Sequence, residues 1–209
     1  MRFALVPSAV AAALCIAAPA AHAQMAPAFT HEALFLKVDA GIGYLHTKAD
    51  FAGTSAEAYG GAGYLGFSIG GAVSSNLVIY GEIWGMAAAS PTGKFAGITV
   101  QANSNITLNY SGLGIGIGTF VMPANVFLGV SVDATRLGIT NHDNGDQSNS
   151  DIGGAVTLTL SKQFWVSERL GLGVEVKGIA GTNKDNNNDS SSANYITLTG
   201  MGLVALTFG

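Results

Sequence analysis

The sequence predicts an all-β protein, a single eight-stranded antiparallel barrel of up-and-down topology that spans a membrane. The chain is 48% hydrophobic and only 11% charged. Yet after its N-terminal segment it never offers the ~20 consecutive apolar residues that a membrane helix needs. Apolar residues instead alternate with small or polar ones along many short segments, as they do in strands. A closed sheet is the other structure that satisfies every backbone hydrogen bond in lipid.

Residues 1–23 have the features of a cleaved signal peptide. Arg2 provides the basic start, an apolar run covers Ala9–Ala18, and Ala21-His22-Ala23 is a small-residue cleavage site. Cys15, the sole cysteine, lies in this segment, so the mature barrel is expected to contain no disulfide and no cysteine ligand. We therefore assign residues 24–33 to an N-terminal periplasmic segment and residues 34–209 to the barrel.

Short and long connections alternate along the barrel segment. Compact breaks fall at Ser74–Asn76, Met122–Asn125 and Ser167–Arg169. Long polar stretches fall at Thr47–Ala58, Ser90–Asn105, Asn141–Asp151 and Thr182–Asn194. This asymmetry is typical of outer-membrane barrels, which have short periplasmic turns and longer outer loops.

The connections delimit eight strands, each longer than the ~9–11 residues that a tilted strand needs to cross a bilayer. They are predicted at Leu34–His46, Tyr59–Val73, Leu77–Ala89, Ile106–Val121, Val126–Thr140, Gly153–Val166, Leu170–Gly181 and Tyr195–Phe208. The stretch Lys94–Gln101 is either an extra strand or an outward extension of the second hairpin, and we favour the extension.

Charged residues indicate which face of each strand points inward. A Lys or Arg that faces lipid at the bilayer midplane costs about 2–4 kcal/mol, so the charged register should face the lumen. The charged registers therefore predict a lumen charge network of Lys37, Asp39, Glu82, Asp133, Glu175 and Lys177. Eight strands enclose an interior that side chains can fill, and the chain's 29 glycines make room there for large residues such as Trp84.

Aromatic residues and the final strand provide further predictions. Val204, Leu206 and Phe208 share an apolar register that ends one residue before Gly209. Aromatic residues collect at strand ends, where we expect interfacial girdles. These residues are Tyr44, Tyr59, Phe120, Phe127, Phe164, Trp165, Tyr195 and Phe208.

The main structural alternative is a soluble barrel, which would place the aliphatic residues inside and the charged residues outside. Alternation of apolar and polar residues is expected in both a soluble barrel and a membrane barrel, so it does not distinguish them. The scarcity of charged residues favours the membrane barrel. The formal net charge of −4 and the absence of a basic cluster argue against nucleic acid as a partner.

Catalytic and metal-binding alternatives have weaker support. His46 with Asp50 or Ser55 is a conceivable acyl-transfer pair, but no residue is marked as a nucleophile, so we expect no enzyme. The acidic loop Asn141–Asp151 could bind calcium, but its spacing matches no calcium loop. We predict no metal site and no cofactor.

The signal peptide, the rhythm of the hairpins, the end LVALTF and the segment KQFWVSERLGLGVEV around the third turn resemble the small outer-membrane β-barrels of the OmpA and OmpX type. The resemblance covers nearly all of the mature chain. It implies a Gram-negative outer membrane, surrounding lipid and lipopolysaccharide, and recognition of Val204, Leu206 and Phe208 by the barrel-assembly machinery.

The resemblance does not specify an activity, and three functions stay open. The first is a structural or surface-interaction barrel, monomeric, with a filled, charged lumen and four exposed loops. The second is a narrow channel for water, ions or small solutes. The third is a lipid-modifying enzyme. No ligand of the loops can be named from the sequence.

Overall fold

The computed structural model describes residues 34–51, 54–103, 105–184 and 194–209, which form eleven antiparallel strands. The strands are β1 (Leu34–Phe51), β2 (Thr54–Ser74), β3 (Leu77–Ala89), β4 (Thr92–Phe95), β5 (Ile98–Gln101), β6 (Ile106–Val121), β7 (Val126–Asn141), β8 (Gln147–Asn149), β9 (Gly153–Trp165), β10 (Leu170–Lys184) and β11 (Asn194–Phe208). Within these ranges, no helix is long and apolar enough to cross a membrane. The predicted signal peptide and residues 24–33 lie outside the described residues.

Eight long strands close into a barrel, which confirms the predicted fold class. Each long strand pairs with its neighbour along the chain, and β1 also pairs with β11. Leu36, for example, lies opposite Phe208 on one side and Ile69 on the other. The three short turns lie at one end, the turn end, which is periplasmic in barrels of this architecture. The other connections lie at the opposite end, the loop end.

The first long connection was predicted wrongly. Residues Thr47–Ala58 were expected to form a loop, but β1 continues to Phe51 and β2 begins at Thr54, with Lys48 opposite Glu57. The hairpin projects beyond the part of the sheet whose outer face is apolar. Polar residues there are the solvated face of paired strands, and composition alone does not separate such a hairpin from a loop.

Two smaller elements complete the loop end. β4 and β5 form a hairpin, and β4 pairs with β2, with Phe95 opposite Ala56. This hairpin is the outward extension that was predicted for the stretch Lys94–Gln101. β8 pairs with Gly138–Thr140 of β7 and was not predicted. Its three residues are all polar, so they show no alternation of hydrophobicity.

The outer face of the barrel is apolar. Aliphatic side chains of alternate residues point outward, and Ile42 is the most exposed of them on β1, at 77%. The opposite register, which includes Lys37 and Asp39, is buried inside. A soluble barrel has the reverse arrangement, so that alternative is excluded. Lys162 points outward near the turn end, where its ammonium group donates to the carbonyl of Ala124.

The prediction that the aromatic residues at strand ends form interfacial girdles is wrong for some of them. Tyr44, Phe164 and Phe208 face outward, but Phe120 and Phe127 are buried in the lumen. Tyr195 packs against apolar residues inside the loop end. An aromatic residue near a strand end can face either side, and the parity of the strand decides which. Phe127, for example, shares the inward register of Ser131 and Asp133.

Candidate functional site: the charged lumen

Four strands bring the six predicted lumen residues together halfway along the barrel. β1 carries Lys37 and Asp39, β3 carries Glu82, β7 carries Asp133, and β10 carries Glu175 and Lys177. Successive side chains of a strand point to opposite faces of the sheet, and all six residues lie on the register that faces the lumen. Each of them is at most 5% exposed. We call these six residues the charged layer.

Two ion pairs dominate the charged layer. The Nζ of Lys37 lies 3.0 Å from Oε2 and 3.2 Å from Oε1 of Glu175. The Nζ of Lys177 lies 2.6 Å from Oδ2 of Asp39 and also donates to the hydroxyl of Tyr64, at 2.7 Å. Each lysine therefore has one carboxylate partner at hydrogen-bonding distance, which offsets the cost of burying its charge.

Longer contacts join the two pairs into one network. Lys37 Nζ is 3.7 Å from Asp39, and Lys177 Nζ is 3.7 Å from Glu175 and 3.6 Å from Glu82. The lysines also lie over aromatic rings, 5.5 Å from the centroid of Phe127 for Lys37 and 4.9 Å from that of Tyr64 for Lys177. Such cation–π contacts gain strength where water is excluded.

Neutral donors hold the remaining carboxyl group, that of Asp133. Thr157 donates to its Oδ2 at 2.7 Å, Trp84 donates to its Oδ1 at 3.3 Å, and the hydroxyl of Ser131 is 3.3 Å from Oδ2. The same hydroxyl contacts Oε1 of Glu82. Ser131, Thr157 and Tyr64 were not predicted as partners, although each lies on the inward register of its strand.

Glycine makes room for the large side chains of this layer. A Cβ on Gly112 would lie 2.9 Å from Nε1 of Trp84, closer than side chains approach one another. A Cβ on Gly66 would lie 2.5 Å from Oδ1 of Asp39 and 2.6 Å from the hydroxyl of Tyr64. Glycine at these positions therefore lets the indole and the ion pair occupy the lumen.

Apolar clusters fill the lumen on both sides of the charged layer. Toward the turn end lies an aromatic base of Phe35, Tyr80, Phe120 and Phe127, whose ring centroids are 4.9 to 6.3 Å apart. Toward the loop end lies an upper apolar cluster, which includes Leu45, Met86, Leu108, Tyr110, Leu137 and Ile179. Buried side chains thus occupy the lumen at three successive levels.

The predicted assembly residues lie on the outside of the barrel. Val204, Leu206 and Phe208 of β11 are exposed, while the intervening Ala205 and Thr207 are buried. Phe208 lies opposite Leu36 of β1 and Leu170 of β10, at the turn end. These three side chains therefore form an apolar stripe at the seam where the first and last strands meet.

The surroundings of His46 give little support to a catalytic role for this residue. His46 points outward at the loop end, where its Nε2 lies 3.7 Å from Oε2 of Glu57 and its ring lies 6.0 Å from that of Tyr59. Ser55 is exposed, and the contacts of His46 are with the outer face rather than with a cavity that excludes water.

The acidic loop uses its carboxylates in other contacts. Asp143 accepts from the amide of Asn105 and Asp146 accepts from that of Asn144, both at 2.5 Å. Within the described residues, no group of three or more His, Cys, Asp and Glu side chains is placed to hold a metal ion.

The β4–β5 hairpin carries an apolar surface that was not predicted from the sequence. Phe95, Ile98 and Val100 lie on one face of the hairpin and are 59%, 68% and 62% exposed. Phe95 pairs with Ala56, which is on the inward register of β2, so this face continues the inner wall of the barrel. We call these three residues the mouth patch. Their alternating positions in KFAGITV are the sequence signal that could have revealed it.

The closed eight-strand fold, the apolar outer face and the buried charges define a small outer-membrane β-barrel of the Gram-negative type. No protein-family model matches the sequence, and no match was found among the curated proteins. Among solved structures, the chain is similar to Neisserial surface protein A (NspA), with a TM-score of 0.53 and 12% identity over 84% of this chain and 96% of that chain.

Two other outer-membrane barrels show a weaker likeness. AlkL, solved in lipid bilayers, has a TM-score of 0.49 and 12% identity over 91% of this chain and 94% of that chain. Ail, the attachment invasion locus protein of Yersinia pestis, has a TM-score of 0.43 and 10% identity over 85% of this chain and 99% of that chain. At such identities the likeness to NspA is one of fold.

Proposed function

We propose that this protein is a structural and surface-interaction barrel, monomeric and without enzymatic activity, whose lumen does not conduct. The observation that carries the proposal is the occupation of the lumen at three levels, from the aromatic base through the charged layer to the upper apolar cluster. An open channel requires a continuous path of water, and buried ion pairs with apolar residues on both sides obstruct one.

Conductance in planar bilayers tests the closed lumen. The refolded protein should show no steady conductance on the scale of a general porin. A matched variant, Lys37→Ala with Phe127→Ala, removes one large side chain from the charged layer and one from the aromatic base, and should conduct more than the wild type. Steady opening of the wild type would instead support the narrow channel. Turnover of lipid A or phospholipid by the purified protein would support an enzyme.

The mouth patch supports the surface-interaction part of the proposal. Exposed apolar groups at a loop end have no lipid to cover them, and contiguous apolar patches on a surface commonly mark contacts with partners. Phe95, Ile98 and Val100 project with the hairpin beyond the apolar outer face.

Retention of whole cells on an apolar matrix tests whether the mouth patch is available for contact. Cells producing the wild type should be retained more than cells producing Phe95→Ser with Ile98→Ser. The control changes Lys94 and Thr99 to serine, which alters the opposite face of the same hairpin. Equal retention by wild type and patch variant at equal surface abundance would contradict an accessible apolar contact surface.

We also propose two sets of envelope partners. Lipid and lipopolysaccharide surround the apolar outer face, and Val204, Leu206 and Phe208 form the stripe that the barrel-assembly machinery recognises. The position of the stripe supports this, since it lies on the last strand, exposed, and at the end of the barrel that faces the periplasm.

A further inference from the structure

We propose that a groove on the outer wall of the barrel binds one acyl chain of lipopolysaccharide, while Lys184 and Arg136 bind a phosphate group of its lipid A. The site presupposes lipopolysaccharide as a partner, as proposed above, and specifies where on the barrel it binds. The groove follows β10 in the half of the barrel nearer the loop end, and we call it the furrow.

Small residues form the floor of the furrow. Side chains at alternate positions of a strand point to the same face, and the outward register of β10 contains Gly178, Ala180 and Thr182 in succession. The rise of a strand makes this floor about 14 Å long. Lys184 is the next outward residue, so its ammonium group stands at the loop end of the furrow.

Branched aliphatic residues of the two neighbouring strands form the walls. On β9 they are Val156 and Leu158, and on β11 they are Ile196 and Leu198, each directly opposite a floor residue. All four are between 47% and 62% exposed, so they project outward beside the floor. The groove around Ala180 has a volume of about 480 Å³, and a second groove of about 650 Å³ lies next to it along β9 and β10. This shape suits a hydrocarbon chain.

Two cations stand at the loop end of the furrow. Lys184 of β10 and Arg136 of β7 are both exposed and lie on outward registers. Ala134, Gly154 and Thr182 form one row across β7, β9 and β10. Each cation is two residues further toward the loop end than its strand's member of this row. Since only β9 separates their strands, the Cα atoms of the two cations are about 10 Å apart.

The positive charges of these two residues have no carboxylate partner within the described part of the chain. Arg136 Nε donates to the carbonyl of Ser150 at 3.4 Å. Asp151 lies on the segment between the two cations, and its backbone N–H donates to the carbonyl of Lys184 at 2.9 Å. Its carboxyl group forms no ion pair with either cation. Both charges are therefore available to an anion from outside the protein.

The charges and the furrow together match a phosphorylated lipid. Arginine and lysine form charge-assisted hydrogen bonds with phosphate, and basic pockets of membrane proteins bind lipid head groups. An acyl chain gains packing contacts in the furrow but no hydrophobic free energy, because lipid surrounds it in either place. Affinity therefore comes mainly from the phosphate, and the furrow orients the chain.

The position of the cations favours lipid A over a phospholipid. Longer loops of outer-membrane barrels face the outside of the cell, so the loop end lies at the outer leaflet. Lipid A is the phosphorylated lipid of that leaflet in a Gram-negative cell. Anionic phospholipids belong to the inner leaflet, at the turn end of the barrel.

Native mass spectrometry of the refolded barrel in detergent, titrated with lipid A, tests the phosphate site. The wild type should bind phosphorylated lipid A more tightly than dephosphorylated lipid A. Arg136→Gln with Lys184→Gln should weaken binding of the phosphorylated form about thirtyfold, since each basic residue near an anionic lipid surface contributes about fivefold. The same variant should bind the dephosphorylated form as the wild type does.

Lys48→Gln with Lys94→Gln is the control for charge. It removes two positive charges from β1 and β4 at the loop end, where both lysines lie opposite Glu57. This control should bind phosphorylated lipid A as tightly as the wild type. An equal loss of affinity in the two charge variants, or no loss in the Arg136 and Lys184 variant, would overturn the site.

Gly178→Leu tests the furrow. A Cβ at this position would lie 3.8 Å from the carbonyl oxygen of Thr199, an ordinary contact, so the variant should fold with its leucine in the furrow. Its affinity for both forms of lipid A should fall by the same factor. Gly85→Leu, on the outward register of β3, is the control, because a Cβ there meets no atom within 4 Å. Equal affinities of Gly178→Leu and the control would overturn the furrow as the chain site.

The wild type alone separates failure of the site from failure of the partner. Equal binding of phosphorylated and dephosphorylated lipid A would overturn the phosphate site, even if the variants did not fold. Tighter binding of phosphatidylglycerol than of lipid A would overturn lipid A as the occupant. No binding of either form of lipid A would overturn lipopolysaccharide as a specific partner, and the site with it.

Discussion

Removing both partners of the Lys37–Glu175 ion pair should destabilise the barrel much less than the two single changes together. The perturbations are Lys37→Met, Glu175→Gln and the double variant. Both side chains are buried, and their charged atoms are 3.0 Å apart. A single change leaves one charge in the lumen without its main partner, whereas the double change removes both charges.

The distances determine the size of the effect. At 3.0 Å and an effective dielectric constant of ~20, the Coulomb energy of the pair is about 5.5 kcal/mol. Loss of one buried partner costs about 3–5 kcal/mol. We expect the lower end of that range, because Lys177 stays 3.7 Å from Glu175 and Asp39 stays 3.7 Å from Lys37. Each single variant should lose about 3 kcal/mol, with a coupling energy of about 3 kcal/mol.

Equilibrium unfolding in denaturant measures the free energy of unfolding of the wild type, the two single variants and the double variant. Tryptophan fluorescence and heat-modifiable migration on gels follow the unfolding. The control combines Glu175→Gln with Lys184→Met, a change at an exposed lysine at the loop end of the same strand. That pair should be additive within about 0.5 kcal/mol. Equal additivity for Lys37 and Glu175 would refute the reasoning, since it would mean that the two charges do not stabilise one another.

Three further outcomes are expected. Phe208→Ala should lower the amount of barrel in the outer membrane of cells lacking the protease that clears unassembled barrels, while refolding in detergent stays normal; Phe164→Ala, another exposed aromatic at the turn end, is the control. A normal membrane yield of Phe208→Ala would contradict the assembly role. The folded gel band should persist with chelator present, and its loss would reveal a structural metal. Gly112→Ala should destabilise the barrel by about 1–3 kcal/mol through its clash with Trp84. Gly85→Ala, where the added Cβ meets no atom within 4 Å, should be nearly neutral by the same unfolding measurement.

Alternation was sufficient to predict most of the fold. Where a strand opposes aliphatic residues to charged or small ones, as β1 does with Val38 and Asp39, its existence and its inner face both follow from the sequence. β3 and β6 have the predicted bounds. The strand bounds were predicted less accurately where the two faces of a strand do not differ in hydrophobicity. Ala49, Ala56 and the polar residues around them alternate too weakly to indicate that the first hairpin continues as paired strands.

The candidate site could be predicted only in part. Inward parity selects the six charged residues, but it does not determine which carboxylate meets which ammonium group. That depends on the stagger between strands, which brings Lys37 of β1 to Glu175 of β10 across the intervening β11. The contacts of one hydroxyl group with both Glu82 and Asp133 depend likewise on Ser131, a small residue whose role no sequence pattern indicates.

The pairing of β1 with β11 means that the barrel should tolerate circular permutation. Leu36 and Phe208 are neighbours in the cylinder although nearly the whole described chain separates them, so closing the barrel is the contact of highest contact order. A circular permutant of the barrel segment that joins Gly209 to Leu34 and opens the turn at Met122–Asn125 should form the same barrel, because β1 and β11 are already paired. Its β1–β11 contact would become a local hairpin, and the pairing of β6 with β7 would become the slow, long-range closure.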